Sequence, residues 1–437
     1  MPPLVEAART ADWETVTALI ASGADSEQAF GDGTTSLHWA SYHDNVSIAE
    51  LLLTNQASAD ARTDLGVTPL WLAAENGSTT MTRLLLNAGA DPSLVLLSGE
   101  SPLMTASRTG NAEVVRQLLA AGANPNIAVT RQQTPLMWAA GRGHGDVVAA
   151  LVEYGADVDA RTEVRSEYVK TEKEQDSHSA YKIWIEEGGY TPLMFAAGAG
   201  DLGSARALVI GGSDVNSLSA FGLTPAIMAV HGGNAELLEF LLQQGAEVNP
   251  TASGHTPLHV AVLRGNIEAV KVLLAHDADT DATLEKPTPT RRQSADYHFH
   301  DSLLGATPLW LAARFSEPAI MQVLLDAGAN PHFVNNVSYP AQRMGDFFIA
   351  EEGNHSLLMA AVGMGNRRLR LSWGTPERRA GQVGRDREAL ILEACQVAVL
   401  AGVDLDLENA SGQTALAFAR ERRYDRVAAF LEQAGAI

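Results

Sequence analysis

The 437-residue chain has a single cysteine, Cys395. One thiol excludes an intrachain disulfide and any zinc site built on cysteines. Cys395 lies in the apolar run from Ala394 to Leu400, where it reads as a small core residue rather than a reactive group. A lone cysteine suits a reducing compartment without requiring one. Long hydrophobic runs are missing as well. None reaches the ~18 residues that a membrane-spanning helix needs, so no membrane insertion is expected. No leader is visible, and the first helix-like segment, Leu4 to Ser22, starts almost at the first residue. Cytoplasmic residence and export to a periplasm after loss of a leader both stay open. Positive charge is scarce: 31 Lys and Arg face 52 Asp and Glu, for a formal net charge of −21. Such a chain stays soluble and repels nucleic acid and anionic lipid at long range, so no nucleic-acid partner is expected.

Catalytic signatures are absent too. There is no Walker-type phosphate loop, no H-E-x-x-H and no G-x-S-x-G, and spacing suggests no Ser/His/Asp set. The chain is expected to be no enzyme and to need no cofactor. What it does have is 46% hydrophobic residues, ample for a buried core, with only 19% charged, too few for global disorder.

That core material is periodic. The phrase Thr35-Ser36-Leu37-His38-Trp39-Ala40 returns as Thr68-Pro69-Leu70-Trp71-Leu72-Ala73-Ala74, with further copies from Ser101, Thr134, Thr191, Thr224, Thr256 and Thr307. A degenerate copy begins at His355, where a weak cap is expected, and a last one at Thr414. Starts from Thr35 to Thr134 are 33 residues apart, a period that means stacked supersecondary units. Within one unit, threonine caps a short helix and proline takes its first position, where a missing N–H costs nothing. Leu70, Ala73 and Ala74 face the core at helical spacing, and a glycine such as Gly77 or Gly110 ends the helix. A second helix carries a stripe such as Val114, Val115, Leu118 and Leu119 and stops at Gly-Ala-Asp or Gly-Ala-Asn. No unit can bury its apolar faces alone, so neighbours must stack.

These residues resemble the ankyrin repeat, most closely at Thr256-Pro257-Leu258-His259-Val260-Ala261. The resemblance implies an all-α solenoid of about 11 helix-turn-helix repeats, with short β-hairpin fingers and four insertions, forming one array over residues 1–437. Residues 1–30 would be the N-terminal cap repeat and 404–437 the C-terminal repeat and cap. The repeat grammar is similar to that of bacterial multi-ankyrin proteins, many of which are exported. The implied function is a non-catalytic scaffold, a monomer that binds another protein with an acidic or mixed surface.

Four gaps exceed the period. Thr134 to Thr191 spans 57 residues, Thr256 to Thr307 spans 51, Thr307 to His355 spans 48 and His355 to Thr414 spans 59. They place insertions at 163–187, 283–304, 336–352 and 366–387. The first three fall where the family has its fingers. The fourth, rich in arginine, falls between the two helices of one repeat, where it would contact an acidic partner or fold back on acidic repeats. The second holds Asp296, His298 and His300, which share one face if the segment is extended and would suit a divalent metal or small ligand, with His332 or His178 as a further donor. The alternative there is a finger packed by Tyr297 and Phe299.

Trp39, Trp71, Trp138 and Trp310 sit inside the helix-start phrase and are expected in the packing between repeats. Trp184 and Trp373, in insertions, either anchor their segments or meet a partner. By position in the family, the two residues before each helix-ending glycine face the concave groove, as do those just before each cap. The expected partner-binding set is Tyr42, His43, Arg108, Arg142, Tyr190, His231, His255, Arg264, Arg314, Phe315 and Trp184. Arginine and aromatic residues dominate binding hot spots, so the groove is expected to be aromatic and mildly basic on an acidic body.

Overall fold

The recurring phrase is a helix start in which each residue has a separate role. Thr68, Thr134, Thr191, Thr224, Thr256 and Thr307 hold extended backbone, and each hydroxyl accepts the amide N–H three residues on. This satisfies one of the N–H groups that a helix start leaves orphaned. Ser101 and Ser356 do the same for Met104 and Met359. The copy expected to begin at His355 with a weak cap therefore begins one residue later, with an ordinary serine cap. Most of these helices end on a left-handed glycine, as at Gly77, Gly143 and Gly265. Where no glycine is present, Asp44, Ser316 and Arg423 take the positive φ instead, at 53°, 55° and 57°.

Two copies carry histidine third in the helix, and it ties one repeat to the next. The Thr35 amide donates to His38 Nδ1 at 3.1 Å, which leaves Nε2–H to donate to the Val67 carbonyl at 2.9 Å. The Thr256 amide likewise donates to His259 Nδ1 at 3.2 Å, with Nε2–H directed to the Ala306 carbonyl at 3.2 Å. An imidazole nitrogen that accepts from a backbone N–H cannot also hold a proton, so both rings are fixed neutral.

The computed structural model describes residues 2–170, 182–288, 299, 303–336, 339–344, 347–351, 353–364 and 386–437. The chain divides into two units, the first comprising Met1–Glu163 and Gly189–Asp214, the second Val164–Gly188 and Val215–Ile437. The first unit is six helix pairs: α1 (Pro3–Arg9) with α2 (Trp13–Ala21), α3 (Ser36–Tyr42) with α4 (Val46–Thr54), α5 (Pro69–Asn76) with α6 (Thr79–Asn87), α7 (Pro102–Thr109) with α8 (Ala112–Ala120), α9 (Pro135–Arg142) with α10 (Gly145–Glu153), and α11 (Pro192–Ala199) with α12 (Leu202–Ile210). First helices pack on first helices and second on second along the stack. The second unit repeats the plan with α13 (Pro225–Gly232) and α14 (Ala235–Gln243), α15 (Pro257–Arg264) and α16 (Ile267–Ala275), α17 (Pro308–Arg314) and α18 (Pro318–Asp326), α19 (Leu357–Val362) and α20 (Arg387–Leu400), and α21 (Ala415–Glu421) and α22 (Asp425–Ala434). Each unit is thus a helix-turn-helix repeat stack, as the period predicts. Among the described residues no helix is long and apolar enough to cross a membrane. Cys395 is fully buried in α20, and burial pushes its thiol pKa up, which leaves it inert.

Polar atoms at the seams fix the stacking. In the first unit Asp60, Asn126 and Asp159 each offer a side-chain oxygen to the amide of the following repeat's Asp91, Asp157 and Asp214, at 2.8, 2.7 and 3.1 Å. In the second, Asn216, Asn249, Asp281 and Asp406 accept in the same way from Glu247, Asp279, Asn330 and Ile437. The fingers of ordinary repeats are tight turns closed by one bond, such as Thr63 N–H to the Val67 carbonyl at 3.0 Å, and joined to the preceding finger by another, such as Asp64 N–H to the Asp32 carbonyl at 2.8 Å. Among the described residues, paired strands form only in the insertions. β1 (Arg165–Lys170) pairs antiparallel with β2 (Lys182–Glu187), and β3 (Tyr339–Met344) with β4 (Phe347–Glu351), the latter with an irregularity between Pro340 and Gln342.

Close finger stacking needs glycine at several positions, Gly33 and Gly222 among them. A Cβ on Gly222, where φ is +87°, would lie 2.6 Å from the Ala252 carbonyl carbon and 2.7 Å from the Ser253 nitrogen, both backbone. Gly245 has a similar φ of +90° with nothing within 4 Å. Gly245→Ala carries only the left-handed cost, about 1 kcal/mol. Gly222→Ala adds a backbone clash and is expected to lower stability by at least about 2 kcal/mol more. Urea unfolding of the two variants side by side measures the difference.

Candidate functional site

The ends of the short helices in the first unit carry an uneven set of side chains. At the end of α3, Tyr42 is 55% exposed and His43 is exposed. They join Trp39 and the half-buried Trp13 from the start of α2 in one cluster, with ring centroids 5.1–6.1 Å apart. Trp13 carried no signal in the repeat phrase, because it lies in the half-unit that precedes the first copy. At the end of α7, Arg108 is half-buried, and its guanidinium lies 3.6 Å from a Glu100 carboxylate oxygen. That carboxylate also accepts from the Thr105 hydroxyl at 2.8 Å. Arg142, at the end of α9, is exposed and makes no ion pair or hydrogen bond through its side chain among the described residues. Tyr190 is half-buried, with its ring edge-on to Phe195 at 6.2 Å.

In the second unit His231, Arg264, Arg314 and Phe315 are all half-buried. The Arg264 charge bears on His231 and the Arg314 charge on His355. His255 departs from expectation. It was placed on the groove by its position before Thr256, yet it is only 2% exposed. Phe299, from the second insertion, lies over it at 5.2 Å, and His259 lies beyond the same Phe299 ring at 6.3 Å. Neither ring nitrogen of His255 has a hydrogen-bond partner among the described residues. Phe299, set over His255, removes the position before the cap from the surface. Sequence period alone does not reveal this.

Among the described residues, the first insertion presents the most exposed aromatic side chain. Trp184 on β2 is 70% exposed and faces Tyr168 on β1, 50% exposed, across the strand register with centroids 5.1 Å apart. Ile185, the next residue, is buried, so the hairpin turns one face to the protein and one to solvent. Trp184 therefore does not anchor its segment, while Trp310 is buried and donates its indole N–H to the His355 carbonyl at 3.0 Å. Tyr168 completes the exposed pair and was not singled out from sequence. It becomes visible only once the register is known.

Asp296, His298 and His300, with Tyr297, His178 and Trp373, lie outside the described residues, as does nearly all of the 366–387 insertion. Among the described residues no three His, Cys, Asp or Glu side chains gather with the geometry of a metal site. His332 is exposed in a turn, its amide donating to the Asn330 side chain at 2.9 Å.

The comparisons with known proteins agree with the repeat architecture. A family model described as Ankyrin repeats (3 copies) matches residues 4–95, 89–162 and 179–283, and one described as Ankyrin repeat matches 304–336. Together these exceed half of the chain. No curated protein matches it. Among solved structures, the human ASB11 ankyrin repeat domain is 27% identical, over 56% of this chain and 99% of that one, with a TM-score of 0.45.

The buried histidines have a consequence in acid. Burial first, then the neighbouring His231 and His259, lowers the His255 pKa to about 3. Burial alone is the main cause for His259, at about 4, and burial followed by Arg264 for His231, also about 4. The unfolded chain binds these protons near pH 6.5 and the folded one does not. Stability is therefore full above about pH 6.5 and falls toward pH 4, with a slope of up to about 1.4 kcal/mol per pH unit for each such site. His255→Phe removes a buried imidazole whose ring nitrogens have no hydrogen-bond partner among the described residues, so it is expected to leave stability near pH 7.5 unchanged or raised and to flatten the acid limb. Urea midpoints measured from pH 7.5 to 4.5 check this, and an unchanged slope would refute it.

Proposed function

The chain belongs to the ankyrin-repeat family, and on that premise we propose that it is a scaffold that holds another protein along the exposed ends of its short helices and on its enlarged first finger. The ankyrin fold is a non-catalytic scaffold class that generally mediates protein–protein interaction. One observation carries the reading: beside exposed aliphatic residues such as Leu65, Leu97, Ile210 and Leu400, the repeat stack leaves large side chains of hot-spot type in solvent. They include Tyr42 and Arg142 in the first unit and Trp184 with Tyr168 in the second. Stacking does not need them there, and large aromatic rings left in water are unfavourable unless a partner covers them. Arg142 suits an acidic side chain of that partner. The net charge of −21 disfavours nucleic acid and self-association alike.

Affinity capture from the native host, followed by binding measurements with the captured protein, tests the reading. Trp184→Ala and Arg142→Glu are each expected to weaken the captured partner by about tenfold or more. Equal capture by the intact chain and both variants would sink the assignment of the surface. Capture of nothing by the intact chain would sink the scaffold itself.

A further inference from the structure

The aromatic cluster at the start of the first unit lies in its most acidic stretch. Residues 1–80 contain eleven carboxylates, two arginines and no lysine. Both arginines are engaged. Arg9 is held by Glu6 at 2.6 and 3.1 Å, and Arg62 donates to the Val95 carbonyl at 2.9 Å. Two carboxylates adjoin the rings along the chain, and a third lies at the end of the neighbouring helix. Glu14 follows Trp13 and Asp44 follows His43. Glu75 precedes Asn76, whose amide donates to the carbonyls of Ser41 and Tyr42 at 3.0 Å each and so brings the end of α5 beside the end of α3. All three are exposed and have no hydrogen bond or ion pair through their side chains among the described residues. Three of the four ring contacts are edge-to-face, at 77–83°, so the rings brace one another at their edges. Tyr42, 55% exposed, makes no side-chain hydrogen bond among the described residues.

From this charge complementarity we propose that the Trp13–Trp39–Tyr42–His43 cluster is the docking site for a cationic side chain, arginine above all, on a basic segment of the partner protein. The inference rests on the scaffold reading and deepens it. A guanidinium over an indole or phenol face is attracted by the ring quadrupole, and unpaired carboxylates beside the rings add direct charge attraction. The acidic surroundings also raise the local concentration of a basic segment. Arg142, three repeats further along the same unit, makes the opposite demand. A partner segment with a basic residue at one end and an acidic residue toward the other is thereby read in one direction.

The test uses the full chain and a fluorescent twelve-residue peptide with three arginines spaced by glycine and serine. A matched peptide with citrulline in place of arginine keeps the shape and removes the charge. At 0.15 M salt the arginine peptide is expected to bind at least about tenfold more tightly than the citrulline peptide. Tyr42→Ala is expected to weaken it about fivefold, Glu75→Gln by about two- to fivefold, and Tyr42→Phe, which keeps the ring, by less than about twofold. Glu153→Gln removes one exposed carboxylate at the end of α10 and controls for general attraction to an acidic chain. Circular dichroism confirms that each variant is folded. The inference is overturned if the citrulline peptide binds equally, if Tyr42→Ala has no effect, or if Glu153→Gln costs as much as Glu75→Gln. Such a failure with partner capture intact and sensitive to Arg142→Glu removes only the cationic subsite. Failure of capture by the intact chain removes the scaffold reading.

Discussion

The rest of this structure depends on a side-chain oxygen that recurs at the seams between repeats, seven times among the described residues. An Asp or Asn in one repeat accepts the backbone amide of the Asp, Asn or Glu that follows the second helix of the next, or of the last residue at the C-terminal end. The bond is indifferent to how much chain lies between its ends. Asp60 and Asp91 are 31 residues apart, while Asp159 and Asp214 are 55 apart, yet they meet at 2.8 and 3.1 Å. The same holds for Asp281 and Asn330, 49 apart at 3.0 Å. A seam that closes in this way pins both second helices, and the apolar stripes then have only one way to meet. Across these two seams the extra residues leave through the finger, where a longer loop adds only slowly to the entropic cost, whereas in the repeat of α19 and α20 the added chain lies between the helices and α20 itself runs to 14 residues.

That constraint explains where recognition chemistry collects. Stacked faces are filled by alanine, leucine and valine at nearly complete burial, so substitution there meets close packing. The helix ends and fingers meet no such demand, and tyrosine, tryptophan and arginine accumulate on them. The β1–β2 hairpin shows the division within a single element: Ile185 is buried against the protein while its neighbour Trp184 stands in solvent.

How much of this is legible in sequence follows from how local each determinant is. The caps Thr68, Thr256 and Ser101, the glycine helix stops and the Asp/Asn turns act within four residues or at a fixed period, and each can be read from the chain. The four insertions can be read as failures of the same period. Tyr168 cannot, because its exposure depends on pairing with Trp184 sixteen residues away. Nor can the burial of His255, which requires Phe299 to come down from forty-four residues further along the chain. The cluster around Tyr42 was half visible. Tyr42 and His43 follow from groove position, whereas Trp13 joins them only through the packing of a cap half-unit that lacks the phrase.

Charge is the property that position alone misjudges most. Counted by residue type, the groove looks basic because arginine recurs at the helix ends. In the structure Arg108 faces Glu100 from its own repeat, and the pair presents a dipole rather than a cation. Both members are partly exposed, so the pair adds little stability, but it cancels the long-range field that a free arginine would project. Arg142 has no such partner among the described residues, and the carboxylates beside Tyr42 have none either. The short-helix ends of the first unit therefore run from an aromatic cluster near exposed carboxylates at α3 to an exposed arginine at α9. A uniform basic strip would select a partner by net charge alone. On the proposed reading, a polarised one would also select by the order of charges along the partner, which is a stricter condition and one that a stack of near-identical repeats is well placed to impose.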